Sequence, residues 1–440
     1  MNDKNVTARR LVLSMLAKTE QSGYSNLILD GALKTSELSE ADKRFASVLY
    51  YGTVERILTL DYIINKYSSK AVDKLDCDVR NILREAVFQL VYMNSVPDNA
   101  AVNEAVNLTK AVRKSSASGY VNAVLRSFIR DGKVIKYPKG RTERMSIEYS
   151  CPEWLINQLL DEHGEEKTES LLKRSVGACR TYIRVNTLKT SADELMVLLK
   201  GHGITAERSA YDENCLSVSG TGAVETLDEF CKGLFHVQDL SSQLCARALD
   251  AKENDVVLDV CSAPGGKAFT IAENMNDKGT VYAFDLHQKR VGLIASGAER
   301  LGITCINAMA QDSTVHNESI PMADKILCDV PCSGLGVIGR KAEIKYKPKE
   351  SLERLPEVQY SILDASSAYL KKGGTLIYST CSVSNAENSE VIQKFLLNHT
   401  DFEPVPLLLP DCGEDVCEKT IFPLDYDSDG FYIAKLRKVR

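Results

Sequence analysis

From residue 236 onward the chain alternates short apolar runs with amphipathic stretches, and this alternation limits the possible folds more than any other feature. Apolar runs at 256–260, 280–285, 304–309, 324–330 and 374–380 have the length of strands. Residues 267–275, 287–301, 353–371 and 384–398 space their apolar positions as helices do. Strands joined by crossover helices predict a mostly parallel, doubly wound, Rossmann-like α/β sheet. Ligands on such sheets lie beyond the carboxyl ends of the strands, so those ends are where chemistry is to be sought.

The upstream sequence reads differently. Residues 5–130 keep helical spacing throughout, as in "ADKRFASVLYYGTVERILTLDYIINKY" and "DVRNILREAVFQLVYM", with turns at "SVPDN" and "KSSASG". Between 141 and 235 a helical stretch gives way to strand–helix–strand patterning, which reads as a small α+β domain. The expected division of the 440 residues is therefore an all-α bundle at 1–140, an α+β domain at 141–235 and the Rossmann-like domain at 236–440.

Composition excludes several classes. No run approaches the ~18 uncharged apolar residues that span a bilayer. The N-terminus, "MNDKNVTARRLVLSMLAKTE", reads as an amphipathic helix with no cleavage signal, so a cytoplasmic protein is expected. Thirteen cysteines, mostly isolated and without a CxxC, fit a reducing compartment and no metal site. Nothing in the sequence calls for more than a monomer. The net charge of −6 conceals a basic stretch at 101–140, with eight Lys and Arg against two acids, which points to a polyanionic partner.

Chemistry gathers at the strand ends. "VVLDVCSAPGGKAFTIAE" (256–273) is a strand, a tight glycine loop and a helix, yet it is neither GxGxxG nor a P-loop, because Cys261 and Ala268 break the latter. That favours a ligand without a phosphate cradle. Asp285 follows Gly266 by 19 positions, the separation at which an acid reaches ribose hydroxyls. Asp312 follows the next strand, where it can accept from an adenine amino group, and Asp259 can orient the loop. Ribose and adenine contacts without phosphate suit S-adenosylmethionine. Two further strands end on "CDVPCSGLG" and "YSTCSVSNAEN", each with a cysteine beyond the strand, Cys332 and Cys381.

"DVCSAPGGK", "CDVPCSGLGV" and "YSTCSVSNAEN" resemble the signature segments of the RNA (cytosine-5)-methyltransferases of the Sun (Fmu) type, over about 150–440. "VPDNAAVNEAVNLTKAV" with "GYVNAVLRSFIR" resembles the RNA-binding domain of the NusB family, over about 1–130. Together they imply a bacterial enzyme that methylates a cytosine of small-subunit ribosomal RNA. The resemblance implies that Cys261, Ser262, Ala263, Pro264, Gly265, Gly266, Lys267, Asp285, Asp312 and Asp329 bind S-adenosylmethionine. It also implies that Cys381 is the nucleophile and that Cys332 assists release; Asp329, three residues before Cys332 at its strand's end, can hydrogen-bond the cytosine N3/N4 edge. Departures lie at Ala342, where the family commonly has a proline, and at Leu424, in place of a histidine.

That chemistry explains a need for thiols. C5 of cytosine is a poor nucleophile until a thiolate adds to C6 and makes the ring an enamine. The residues alone leave open which cysteine attacks. For the RNA, Arg184, Asn186 and Lys189 in "RVNTLK" offer phosphate contacts. So does a loop expected to rim the pocket, where Arg340, Lys341, Lys345 and Lys347 stand in a stretch of five bases to one acid over 340–349. A tRNA or another rRNA site, or a non-catalytic assembly factor, remain the alternative readings.

Overall fold

Nine α-helices between Ala8 and Arg174 build the first of two units in the computed structural model, which describes residues 7–22, 25–177 and 179–440. The N-terminal helix runs Ala8–Ser22, and residues 1–6 of the expected amphipathic segment lie outside the described residues. Helix Cys77–Tyr92 runs through the centre, its Ile82, Leu83, Val87 and Leu90 buried against Leu49, Leu60, Ile63 and Leu125. The three- and four-residue spacing seen in the sequence is what carries these side chains to one core. Ser39 and Asp76 cap helices Glu40–Glu55 and Cys77–Tyr92 by accepting backbone N–H bonds from Asp42 and Asp78. The compact unit extends to residue 177. It continues through helices Arg141–Tyr149 and Glu153–Arg174, and it takes in residues 338–347 from far along the chain.

That late segment overturns one expectation. Instead of a loop offered to RNA, it is seated in the helical unit, with Ile344 and Lys345 buried. The Lys345 ammonium donates to the backbone carbonyls of Glu55 (3.1 Å) and Tyr149 (3.2 Å). Tyr346 donates to Glu55 O at 2.8 Å, and the Glu343 carboxylate accepts from the Ser25 hydroxyl at 2.7 Å. Burial pushes the Lys345 amine down to about 8. Lys345 is thus spent on internal hydrogen bonds and has no face for a phosphate, whereas Arg340, Lys341 and Lys347 are exposed.

The second unit comprises 179–337 and 348–440 and holds two separate sheets, one over 181–237 and one over 256–438. The small sheet contains β1 (Thr181–Val185), β2 (Thr205–Arg208), β3 (Cys215–Ser219) and β4 (Phe235–Val237), in the order β2-β3-β1-β4 and all antiparallel. The large sheet contains β5 (Val256–Asp259), β6 (Thr280–Asp285), β7 (Ile306–Ala310), β8 (Ala323–Asp329), β9 (Leu370–Thr380), β10 (Phe402–Pro404), β11 (Glu418–Ile421) and β12 (Phe431–Lys438). The run β9-β8-β5-β6-β7 is parallel, as expected. β12 then pairs antiparallel with β9, and β10 and β11 pair with β12, an edge the sequence reading did not foresee. Helices Gly266–Asn274, Gln288–Leu301 and Leu355–Ser367 are the crossovers that let parallel neighbours form.

Arg184 needs a second correction. β1 lies inside the small sheet, between β3 and β4, and its Arg184 is buried. The guanidinium bonds Asp212 (3.1 and 3.2 Å), Asn274 Oδ1 (3.1 Å) and Glu273 (3.4 Å), which ties the small sheet to the end of helix Gly266–Asn274. Asn186 donates to the carbonyls of Gly233 and Leu301, and Lys189 to those of Lys232 and Arg300. Arg184 and Asn186 are buried braces of this unit, not phosphate ligands, whereas Lys189 braces it from an exposed position. Among the described residues no helix is long and apolar enough to cross a membrane.

Candidate functional site

The candidate site begins where β5 ends. Val260 N–H bonds Leu327 O and Ser262 N–H bonds Phe284 O, so the chain is still tied to its neighbouring strands as it turns. Gly265 has φ +111°, a region L-residues avoid, and a Cβ there would meet the Phe269 ring at 2.4 Å. Only glycine lets the loop close onto helix Gly266–Asn274. Asp259 is fully buried beneath the loop, and burial pushes its carboxyl up to about 7.

The next two strands supply carboxylates. Asp285, at the end of β6, is buried; it accepts from His287 N–H (3.1 Å) and pairs with Arg290 (2.9 Å). Arg290 also donates to Ala263 O at 2.8 Å, so one guanidinium links the glycine loop to Asp285. Asp312, two residues beyond β7, is exposed and accepts from Thr314 N–H and Oγ, bonds that hold its carboxyl below the usual range.

β8 and β9 carry the thiols. Asp329 ends β8 opposite Ser379 of β9, and Ser379 Oγ donates to it at 2.9 Å. Lys267 crosses from the glycine loop to the other oxygen of Asp329 at 2.8 Å and lies 4.9 Å from the Phe431 ring centroid. Burial pushes the Lys267 ammonium down, but the Asp329 carboxylate together with Cys245 and Cys381 outweighs it, and the net displacement is upward. Three residues past β8 and one past β9, the sulfurs of Cys332 and Cys381 stand 2.9 Å apart. That is beyond the ~2.05 Å of a disulfide, and none of the thirteen cysteines is disulfide-bonded. The hydrogen bond to Cys381 is the largest cause raising the Cys332 thiol well above its ordinary range, followed by burial and the charges of Cys381, Glu387 and Asp329. By contrast Cys328, inside β8, is a fully buried thiol pushed up to about 12 by burial.

The donor set discriminates between ligands. The only cation of the glycine loop is engaged by Asp329, so the loop offers little to a phosphate, while Asp285, Asp312 and Asp329 place carboxylates at the strand ends. A nucleoside carrying positive charge fits this arrangement, and a polyphosphate does not. Sequence reading missed three supporting groups. Arg290 and Ser379 act through partners distant in sequence, and Glu387 lay unremarked inside "SNAEN"; no local pattern marks any of them.

Comparisons with known proteins agree with this layout. Residues 6–130 match the NusB family, 151–225 the ferredoxin-like domain of RsmF/B-like methyltransferases, and 246–437 the family described as 16S rRNA methyltransferase RsmB/F. The chain is 38% identical to the probable ribosomal RNA small subunit methyltransferase B of Bacillus subtilis, with 99% of each covered. It is 35% identical to that of Synechocystis sp., over 98% of this chain and 100% of the relative. The crystal structure of PH0851 is similar over 98% of both chains, at 26% identity and a TM-score of 0.83. That of NSun6 from Pyrococcus horikoshii with SFG covers 66% of this chain and 98% of its own, at 25% identity and a TM-score of 0.59. Matched along nearly its whole length, this chain belongs to the ribosomal RNA small subunit methyltransferase B family.

Proposed function

We propose that this protein methylates carbon-5 of a cytosine in small-subunit (16S) ribosomal RNA, with S-adenosylmethionine as donor and a covalent bond between Cys381 and C6 of the base. The observation that carries the reading is the pair of sulfurs 2.9 Å apart at the ends of adjacent strands, beside the Lys267–Asp329 ion pair. The family's named substrate and the SFG bound by the Pyrococcus horikoshii relative, an analogue of S-adenosylmethionine, support the RNA and the donor. Cys261 through Lys267 would hold the donor, with Asp285 at the ribose and Asp312 at the adenine. Bound S-adenosylmethionine supplies an electrophilic methyl group.

The chain's own residues do the rest. Lys267 lies close enough to Cys381 for their charges to interact, and an ammonium there favours the thiolate. Cys332 donates its S–H to that thiolate in the resting pair. Cys381 adds to C6, and the electron pair displaced onto C5 takes the methyl. Asp329 accepts from the cytosine amino edge and holds the base in register. Once Cys381 is a thioether, the hydrogen bond that most strongly held the Cys332 proton is gone and only burial and the Glu387 and Asp329 charges still oppose its loss, so Cys332 releases it to solvent. The Cys332 thiolate then takes the C5 proton as the C6–S bond breaks and Cys381 leaves as thiolate. One proton is released per methyl transferred. Arg340, Lys341 and Lys347, with the exposed Lys110 and Arg113 of the helical unit, are the proposed RNA contacts. A target base in a duplex has to be flipped out to reach the thiols.

The test follows transfer of tritium from methyl-labelled S-adenosylmethionine to unmodified small-subunit rRNA by wild type, Cys381→Ala and Cys332→Ala. Loss of transfer in the first and a denaturation-resistant RNA adduct in the second are expected. Equal transfer by all three would overturn the covalent mechanism, and activity on tRNA alone would move the substrate while keeping the chemistry.

A further inference from the structure

Glu387 lies in the short turn after Cys381, 3% exposed, and contacts none of the proposed donor or base ligands. Its carboxylate accepts four hydrogen bonds. Oε2 takes the backbone N–H of Ser333 (2.8 Å) and the side-chain amide of Gln359 (2.9 Å). Oε1 takes the hydroxyls of Ser333 (2.5 Å) and Ser382 (2.6 Å). Ser333 follows Cys332 and Ser382 follows Cys381, so one carboxylate grips the residue next to each thiol. Gln359 also donates to Pro331 O at 3.0 Å, which extends the grip to the other side of Cys332. Tyr378 and Asn388 brace the same turn, the first by donating to Glu387 O and the second by donating to Ser382 O.

Four donors occupy all the lone-pair sites of a carboxylate, whereas an amide in its place has one acceptor oxygen. Loop geometry by itself does not call for a buried charge, since burying one is costly and a neutral group of similar shape often serves as well. Its position relative to the two thiols supplies a reason. The Cys332 sulfur meets that of Cys381, and the charges of Glu387 and Asp329 bear on Cys332, while the Lys267 ammonium bears on Cys381. Negative charge behind one sulfur and positive charge beside the other separate two thiols that are chemically alike.

We propose that Glu387 is the positioning residue of the thiol pair: it locks the two cysteine loops in facing register, and its charge keeps the shared proton on Cys332, leaving Cys381 as the thiolate. This rests on the thiol roles proposed above but is measurable without RNA or methyl donor. The experiment is competitive alkylation of the whole protein with iodoacetamide between pH 6.5 and 9, resolved by peptide mass spectrometry, on wild type, Glu387→Gln and Glu387→Asp. In wild type Cys381 is expected to react faster than Cys332. Glu387→Gln should raise the Cys332/Cys381 rate ratio at least tenfold, and Glu387→Asp, which keeps the charge, should restore the wild-type order. Calorimetric binding of sinefungin reports whether each variant keeps the donor site folded. A wild type in which Cys332 reacts first overturns the proposal even if Glu387→Gln does not fold, and so does a ratio unchanged within twofold in a folded Glu387→Gln. Failure of wild type to methylate any RNA would instead remove the proposed reaction and leave the alkylation order standing.

Discussion

Replacing Lys345 with methionine tests whether this lysine is buried as the fold places it. Its amine meets the carbonyls of Glu55 and Tyr149, and burial, opposed by the charges of Cys151 and Glu55, lowers it from 10.5 to about 8. In the unfolded chain the same amine returns to its ordinary value. Between pH 8 and 10.5 the unfolded state therefore binds more protons than the folded state, and stability rises with pH across that window. The contribution is fully present above 10.5 and is lost as pH falls toward 8. At about 1.4 kcal/mol per tenfold change in proton affinity, the window is worth about 3 kcal/mol. Lys345→Met removes the titration but keeps most of the side-chain volume. Urea unfolding at pH 7.5, 8.5, 9.5 and 10.5 can be followed through Trp154, the only tryptophan of the chain and part of the helical unit. The wild-type stability minus that of Lys345→Met should climb by about 3 kcal/mol from the lowest pH to the highest. The constant cost of losing two hydrogen bonds, and every other titration, cancels in that comparison. A difference flat to within about 0.5 kcal/mol would mean that the amine is hydrated and that residues 338–347 are not seated as described.

Three further outcomes follow from the second unit. Arg184→Met leaves the buried Glu273 without its guanidinium and Asp212 with only Arg247 at 3.6 Å, and should destabilise by about 3–5 kcal/mol with a matching fall in Tm by calorimetry. Gly336→Ala would put a Cβ 2.0 Å from Gly430 O and 2.9 Å from Cys381 O. Methyl transfer should fall at least tenfold while sinefungin affinity, measured by titration calorimetry, stays within about threefold. Lys267→Met strips the ammonium from Asp329 and from beside Cys381. Initial rates should drop roughly a hundredfold, with the rising limb of the rate–pH profile moved to higher pH because the thiolate has lost its cationic neighbour.

What could be read from the sequence was whatever the fold keeps local. The glycine loop, Asp285, Asp312, Asp329 and both cysteines each sit within a few residues of a strand end, and strand ends announce themselves through the apolar runs before them. The parallel order was legible for the same reason, since crossover helices alternate with those runs. Lys345 misled because five bases in ten residues look like a solvated loop, and the carbonyls that receive its amine belong to residues 55 and 149. Arg184 misled similarly, its partners lying at 212, 273 and 274. Glu387 gathers donors from 333, 359 and 382, so nothing beside it distinguishes it from an ordinary turn acid. The antiparallel β12 escaped notice because insertion beside β9 is decided by a pairing some fifty residues away.

The seating of residues 338–347 has a consequence for biosynthesis. A ribosome releases the helices of the first unit long before the piece that completes them, which emerges only after the whole of residues 178–337 has been made. At roughly 5–20 residues per second that delay is on the order of ten to thirty seconds. During it the carbonyls of Glu55 and Tyr149 that later receive Lys345, and the Ser25 hydroxyl that later meets Glu343, wait without those partners. The nascent helical unit is a template with a reserved seat, and a chain truncated near residue 177 would carry the vacancy permanently.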